Sequence, residues 1–117
     1  QVRRSSVNKE SLLELFPEIA LVPDPALRDQ CVKVWLEAIT LGDWERKGLE
    51  NCPLAHGLVR EDCPETGISH CRGVVRMCKT VYDTKRDWWG RFGEGLDENL
   101  LLAGAVLHDV GKFLEYD

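Results

Sequence analysis

No window of this sequence approaches the ~18 consecutive apolar residues of a membrane-spanning helix. Its opening, QVRRSSVNKESLLELF, holds no apolar stretch long enough for a secretory signal. A soluble protein without a membrane partner is therefore expected. Cysteines number five, an odd count, and none of Cys31, Cys52, Cys63, Cys71 and Cys78 stands in a CxxC pair. That argues against a disulfide framework, a zinc ribbon and a thioredoxin-like redox motif. The thiols read as small buried hydrophobes in a reducing cytoplasm. Excess positive charge is also missing, since 15 Lys and Arg face 20 Asp and Glu for a net charge of −5. General nucleic-acid binding is not expected on that balance, and a small anionic substrate would need a local cation.

What is present suits a globular chain, with 44% apolar and 30% charged residues. A chain of 117 residues is the size of one domain with one core. No internal repeat is visible, and no alternating apolar and polar run marks a half-buried strand. The fold class expected is all-α.

Residues 1 to 24 read as an arm carrying Arg3 and Arg4, followed by a short helix from Ser11 to Ala20 interrupted near Pro17. Asp24 followed by Pro25 is a helix start, because the carboxylate caps free amides and proline fits the first turn. Behind it Leu27, Cys31, Val34, Trp35, Ala38 and Ile39 recur at helical spacing, and Gly42 supplies a stop. A short polar helix from Trp44 to Glu50 leads into NCPLAHGLVREDCPETG, a loop by its prolines and glycines that carries His56.

Ser69 is expected to cap the next helix, whose stripe is Cys71, Val74, Val75, Cys78 and Tyr82 and whose first turn holds His70. The segment KRDWWGRFGEG should break that helix and form a loop, with Trp88, Trp89 and Phe92 anchoring it to the core or, in the alternative reading, covering a site or stacking on a base. Asp97 then caps a helix whose unbroken apolar run from Leu100 to Leu107 suits an element enclosed on all sides and ended by Gly111. Gly104, one turn before His108, leaves room for a neighbouring helix.

His108 and Asp109 close that apolar run, where a charged or hydrogen-bonding pair is costly to bury without a compensating partner. A metal ion is such a partner. An imidazole nitrogen and a carboxylate oxygen on adjacent helical residues can reach one ion, and His70 at the start of the preceding long helix supplies a third donor. Nitrogen and oxygen donors without thiolate suit manganese, iron, cobalt, nickel or magnesium better than a structural zinc. Lys112 follows the helix end, where it either meets a substrate phosphate or serves the helix dipole. His56 reads as ordinary loop surface.

The segments SHCRGVVRMC and LLAGAVLHDVGKFLEY together resemble the H…HD segment of the HD superfamily of metal-dependent phosphohydrolases. The likeness covers residues 25 to 117, the front portion of an HD-type helical bundle. It implies His70, His108 and Asp109 as ligands of a divalent metal ion. It also implies metal-assisted hydrolysis of a phosphate ester, in that family often a nucleotide, with Asp109 as a catalytic candidate, beside which Lys112 is one by its place just beyond the helix end. In the family an aspartate from a later helix completes the ligand set. Asp117 is too close to the doublet for that place, so the bundle is expected to be incomplete at its C-terminus. A non-catalytic HD-like binding or signalling module is the alternative, and a homo-oligomer is compatible with either.

Overall fold

The computed structural model describes residues 7–52, 65–88 and 96–114. They form an all-α fold of five helices and two 3-10 turns, with no strand among the described residues. The helices are α1 (Lys9–Leu15), α2 (Pro25–Leu41), α3 (Arg46–Glu50), α4 (Gly67–Trp88) and α5 (Glu98–Leu107), and the 3-10 turns are Pro17–Leu21 and Val110–Leu114. Among the described residues no helix is long and apolar enough to cross a membrane. The sequence expectations for His56, Cys63, Trp89, Phe92 and Asp117 fall outside the described residues.

Local chemistry accounts for most boundaries. Asn8 caps α1 by accepting from the Ser11 amide at 2.9 Å, while the Ser11 hydroxyl accepts from the Asn8 amide at 2.8 Å, so the helix starts before Ser11. Pro17 forces the preceding Phe16 out of helical conformation, and the chain resumes as a 3-10 turn. Asp24 caps α2 through the Ala26 amide at 3.0 Å with Pro25 in the first turn, and Asp97 caps α5 through the Leu100 amide at 3.2 Å. Asn99 Oδ1 also accepts from the Asp24 amide at 2.8 Å, which ties the starts of α2 and α5 together.

Two expected glycine stops take a different form. Gly42 ends α2 in right-handed geometry, and the left-handed residue is its neighbour Asp43 with φ 54°. A side chain on Gly42 would place its Cβ 2.6 Å from the Phe113 carbonyl oxygen and 2.6 Å from the Trp44 ring, so glycine is required there by close packing. Gly111 sits inside the second 3-10 turn, and α5 has already ended at Leu107 with His108 as its cap.

The core gathers around Trp35, fully buried on α2. Phe16 meets its ring edge-on at 5.5 Å, and Phe113 lies 5.1 Å away. The indole Nε1 of Trp35 donates to the Val106 carbonyl at 2.9 Å, which spares the donor an unsatisfied burial and pins α2 to α5. In α2 Val32 is buried while Val34 is 38% exposed, so the apolar stripe is shifted from the one expected. α5 packs on α2 and α4 but is not enclosed on every side. Leu102, Ala103, Ala105 and Val106 are buried, whereas Leu100 is 69% exposed. Gly104 is exposed, and among the described residues a Cβ there would touch nothing, so the room it leaves is not filled by α4.

Among the described residues one charged side chain lies inside this core. Glu18, 4% exposed in the first 3-10 turn, accepts from Arg72 Nε at 2.7 Å and from Arg76 Nε at 2.6 Å, both on α4. Burial alone pushes its pKa up, but the hydrogen bonds from Arg72 and Arg76 and the Arg72 charge outweigh it, leaving a net value below the usual 4.5. A carboxylate with a depressed folded pKa contributes stability that is complete above its unfolded pKa and is lost as pH falls through the folded value. Unfolding free energy should therefore decline as pH drops below about 4.5, more steeply than in a Glu18→Gln chain. At neutral pH that variant should be roughly 1–3 kcal/mol less stable. Urea unfolding of both chains between about pH 3 and pH 7 checks this, and parallel pH profiles would remove the role assigned to Glu18.

Candidate metal centre

α4 and α5 run antiparallel, since His70 at the start of α4 meets Asp109 just beyond α5, while Lys79 further along α4 meets Glu98 at the start of α5 at 3.4 Å. The pairing brings two distant segments of sequence to one end of the molecule.

His70 is placed by the start of α4. Thr66 caps this helix, and Ser69 is its reciprocal partner: the Thr66 amide donates to the Ser69 hydroxyl at 2.8 Å and the Ser69 amide to the Thr66 hydroxyl at 3.2 Å. The helix thus begins earlier than an Ser69 cap would allow. The Gly67 amide donates to the Cys52 carbonyl at 2.9 Å, which attaches this start to the segment after α3.

His108 and Asp109 are placed by the turn after α5. Phe113, buried in the following 3-10 turn, packs on Trp35 and lies 6.1 Å from Trp44, whose Nε1 donates to the Phe113 carbonyl at 2.7 Å. The Lys112 amide donates to the Asp109 carbonyl at 3.1 Å. The turn is therefore clamped at Phe113, and the carboxylate of Asp109 is presented at its start. Sequence reading missed this anchor, although an aromatic residue following a polar doublet carries the signal.

The three side chains converge. Asp109 Oδ2 lies 3.2 Å from His70 Nε2 and 3.0 Å from His108 Nε2, and the two imidazole rings are 5.6 Å apart. One ligating atom from each residue lies within 4.8 Å of the other two. Atoms bound to one ion at about 2.1 Å can stand at most about 4.2 Å apart, so a small inward adjustment suffices. His108 Nδ1 is 2.6 Å from the Ala105 carbonyl, a distance at which the nitrogen must carry the hydrogen. In the neutral ring Nε2 then turns its lone pair to the Asp109 oxygen, an arrangement that a cation between them relieves, a metal ion or a proton alike. Donation from the far ring nitrogen to a main-chain carbonyl is also how metal-bound histidines are commonly oriented. The side chains are partly open, at 33% for His70, 32% for His108 and 21% for Asp109, which leaves a path for an ion and for water.

Neighbouring groups narrow the chemistry. Burial first, and then the charge of Asp109, push the Cys71 thiol up to about 12, with Lys112 acting in the opposite sense. The Cys71 thiol is thus favoured in its neutral form, and the donor cluster is made by His70, His108 and Asp109. The same effect puts Lys112 within electrostatic range of this end of the molecule, and among the described residues no carboxylate pairs with it. Trp88 is not an anchor: α4 continues through KRDW to end on it, and the side chain is 82% exposed. Surface hollows of about 420 Å³ on α2 and about 290 Å³ beside the start of α4 are lined by other residues, so neither is the site of the His and Asp cluster.

No protein-family model, curated protein or solved structure matches this chain. The reading of the cluster rests on its own geometry and on the motif that supplies it.

Proposed function

We propose that the chain is a metal-dependent phosphohydrolase of the HD type, in which His70, His108 and Asp109 hold a divalent ion. The observation that carries this reading is one carboxylate oxygen faced at 3.0 and 3.2 Å by two imidazole Nε2 atoms, with the Nδ1 of one of them turned to the Ala105 carbonyl. Three donors without thiolate favour manganese, iron, cobalt, nickel or magnesium, and leave coordination positions for water and substrate.

A divalent ion in such a place acidifies water and offsets negative charge as a phosphate ester is attacked. The remaining work falls to this chain's own residues. Asp109 supplies the one negative charge among the three donors and holds a hydrogen-bond acceptor beside both rings. The Ala105 carbonyl keeps the proton of His108 on Nδ1. Lys112, a point charge near the cluster, attracts the phosphate of an anionic substrate to a chain whose net charge is −5.

A non-catalytic HD-like module with an incomplete metal site is the second reading, favoured by the absence, among the described residues, of a fourth donor beside the three. The two separate in one experiment on the purified chain. Dialysis against Mn²⁺ or Co²⁺ followed by elemental analysis should find about one or two ions per chain, and the loaded protein should hydrolyse p-nitrophenyl phosphate. Absence of bound metal supports the module, and bound metal without turnover overturns the phosphohydrolase reading.

A further inference from the structure

The ring of His70 has a carboxylate on each side. Its Nε2 lies 3.2 Å from Asp109 Oδ2, and its Nδ1 lies 3.9 Å from Glu65 Oε1. A neutral imidazole donates from one nitrogen and accepts, or ligates, through the other. For His108 the main-chain carbonyl of Ala105 makes that choice. For His70, among the described residues, the group facing Nδ1 is Glu65.

Glu65 is not itself a ligand in this arrangement. The atoms that lie mutually within 4.8 Å belong to His70, His108 and Asp109, and the Glu65 carboxylate addresses the other nitrogen of the ring. Its main chain is nevertheless well placed, because it immediately precedes the Thr66 and Ser69 capping pair that starts α4. The side chain is 49% exposed and so contributes little to the core. A carboxylate so disposed reaches an imidazole N–H directly after a small side-chain rotation, or through one bridging water.

The geometry points to Glu65 as a positioning residue that holds the proton of His70 on Nδ1 and so turns the Nε2 lone pair toward the metal, an inference that rests on the metal reading above. The carboxylate both fixes the ring tautomer and raises the basicity of the ligating nitrogen. The partner comes from the loop side of the α4 start, outside the motif that contains the ligands.

The test uses the purified chain. Long-range nitrogen–proton NMR spectra of the Zn²⁺-loaded, diamagnetic protein report the Nδ1 proton of His70 and its exchange with solvent, and titration with Co²⁺ reports metal affinity. In the wild-type chain that proton should be held in slow exchange. A Glu65→Ala chain should exchange it faster and bind Co²⁺ about ten- to a hundredfold more weakly, with unchanged thermal unfolding. Glu65→Gln, which keeps an acceptor oxygen, should lose less. A Glu65→Ala chain with wild-type proton exchange and wild-type Co²⁺ affinity overturns the role of Glu65, while loss of Co²⁺ in a parallel His108→Ala chain shows that the metal reading still stands. A wild-type chain that takes up no Co²⁺ overturns the metal reading and this role together.

Discussion

An Asp109→Asn chain is expected to lose divalent-metal binding and phosphohydrolase turnover together, while its helical circular dichroism stays at the wild-type level. Asparagine keeps the shape and one carbonyl oxygen of the side chain but removes the only negative charge among His70, His108 and Asp109. Loss of an outer-sphere partner of a metal ligand typically costs about ten- to a hundredfold in affinity, so loss of this ligand's charge should cost at least about a hundredfold. Folding should not suffer, because Asp109 follows the buried segment of α5 and its side-chain contacts are with the two imidazoles. Elemental analysis and a phosphatase assay on the same preparation decide the matter. Near wild-type metal content and turnover in Asp109→Asn would falsify the assignment of the pair as a metal site and leave it a structural feature.

Trp35→Ala should be the most damaging single core change. The indole is fully buried, packs against Phe16 and Phe113, and satisfies the Val106 carbonyl. Truncating a buried tryptophan costs about 3–5 kcal/mol, and here a buried carbonyl also loses its donor. For a domain of this size, total stability is roughly 6–18 kcal/mol, so the variant should be marginal or unfolded at 37 °C. Trp35→Phe retains much of the ring packing and should lose about 1–3 kcal/mol, chiefly from the missing hydrogen bond. Urea denaturation gives both values. A loss below about 1 kcal/mol for Trp35→Ala would show that this aromatic group does not centre the core. Because Phe113 anchors the turn that presents Asp109, Trp35→Phe should also weaken metal binding with the protein still folded.

The starts of α2 and α5 were legible because in each the cap and its target are sequence neighbours. Asp24 with Pro25 and Asp97 each satisfy an amide two or three residues on, and no distant contact is needed to see it. The start of α4 was less clear, because Thr66 and Ser69 both have a hydroxyl, and which of them caps depends on their reciprocal bonding. Its end was misread because KRDWWGRFGEG looks like one loop, whereas Lys85 to Trp88 remain helical before the glycines. The apolar run of α5 suggested enclosure, yet hydrophobicity alone does not say how many neighbours a helix finds. Leu100 and Gly104 are left facing solvent.

The sequence by itself determined that the chain is helical, that three polar side chains stand where an apolar stripe begins or ends, and that their donor atoms suit a divalent ion. Those properties follow from helical hydrogen bonding, capping and side-chain chemistry, which are set within a few residues. Only the tertiary structure decided that His70 meets His108 and Asp109 at one carboxylate oxygen, since that depends on the antiparallel packing of α4 against α5. It also decided the partners that no local pattern announces: Glu18 under Arg72 and Arg76, Phe113 between Trp35 and Trp44, and Glu65 behind His70. Side-chain orientation at such points is fixed by groups far away in sequence, so it emerges only when the core closes.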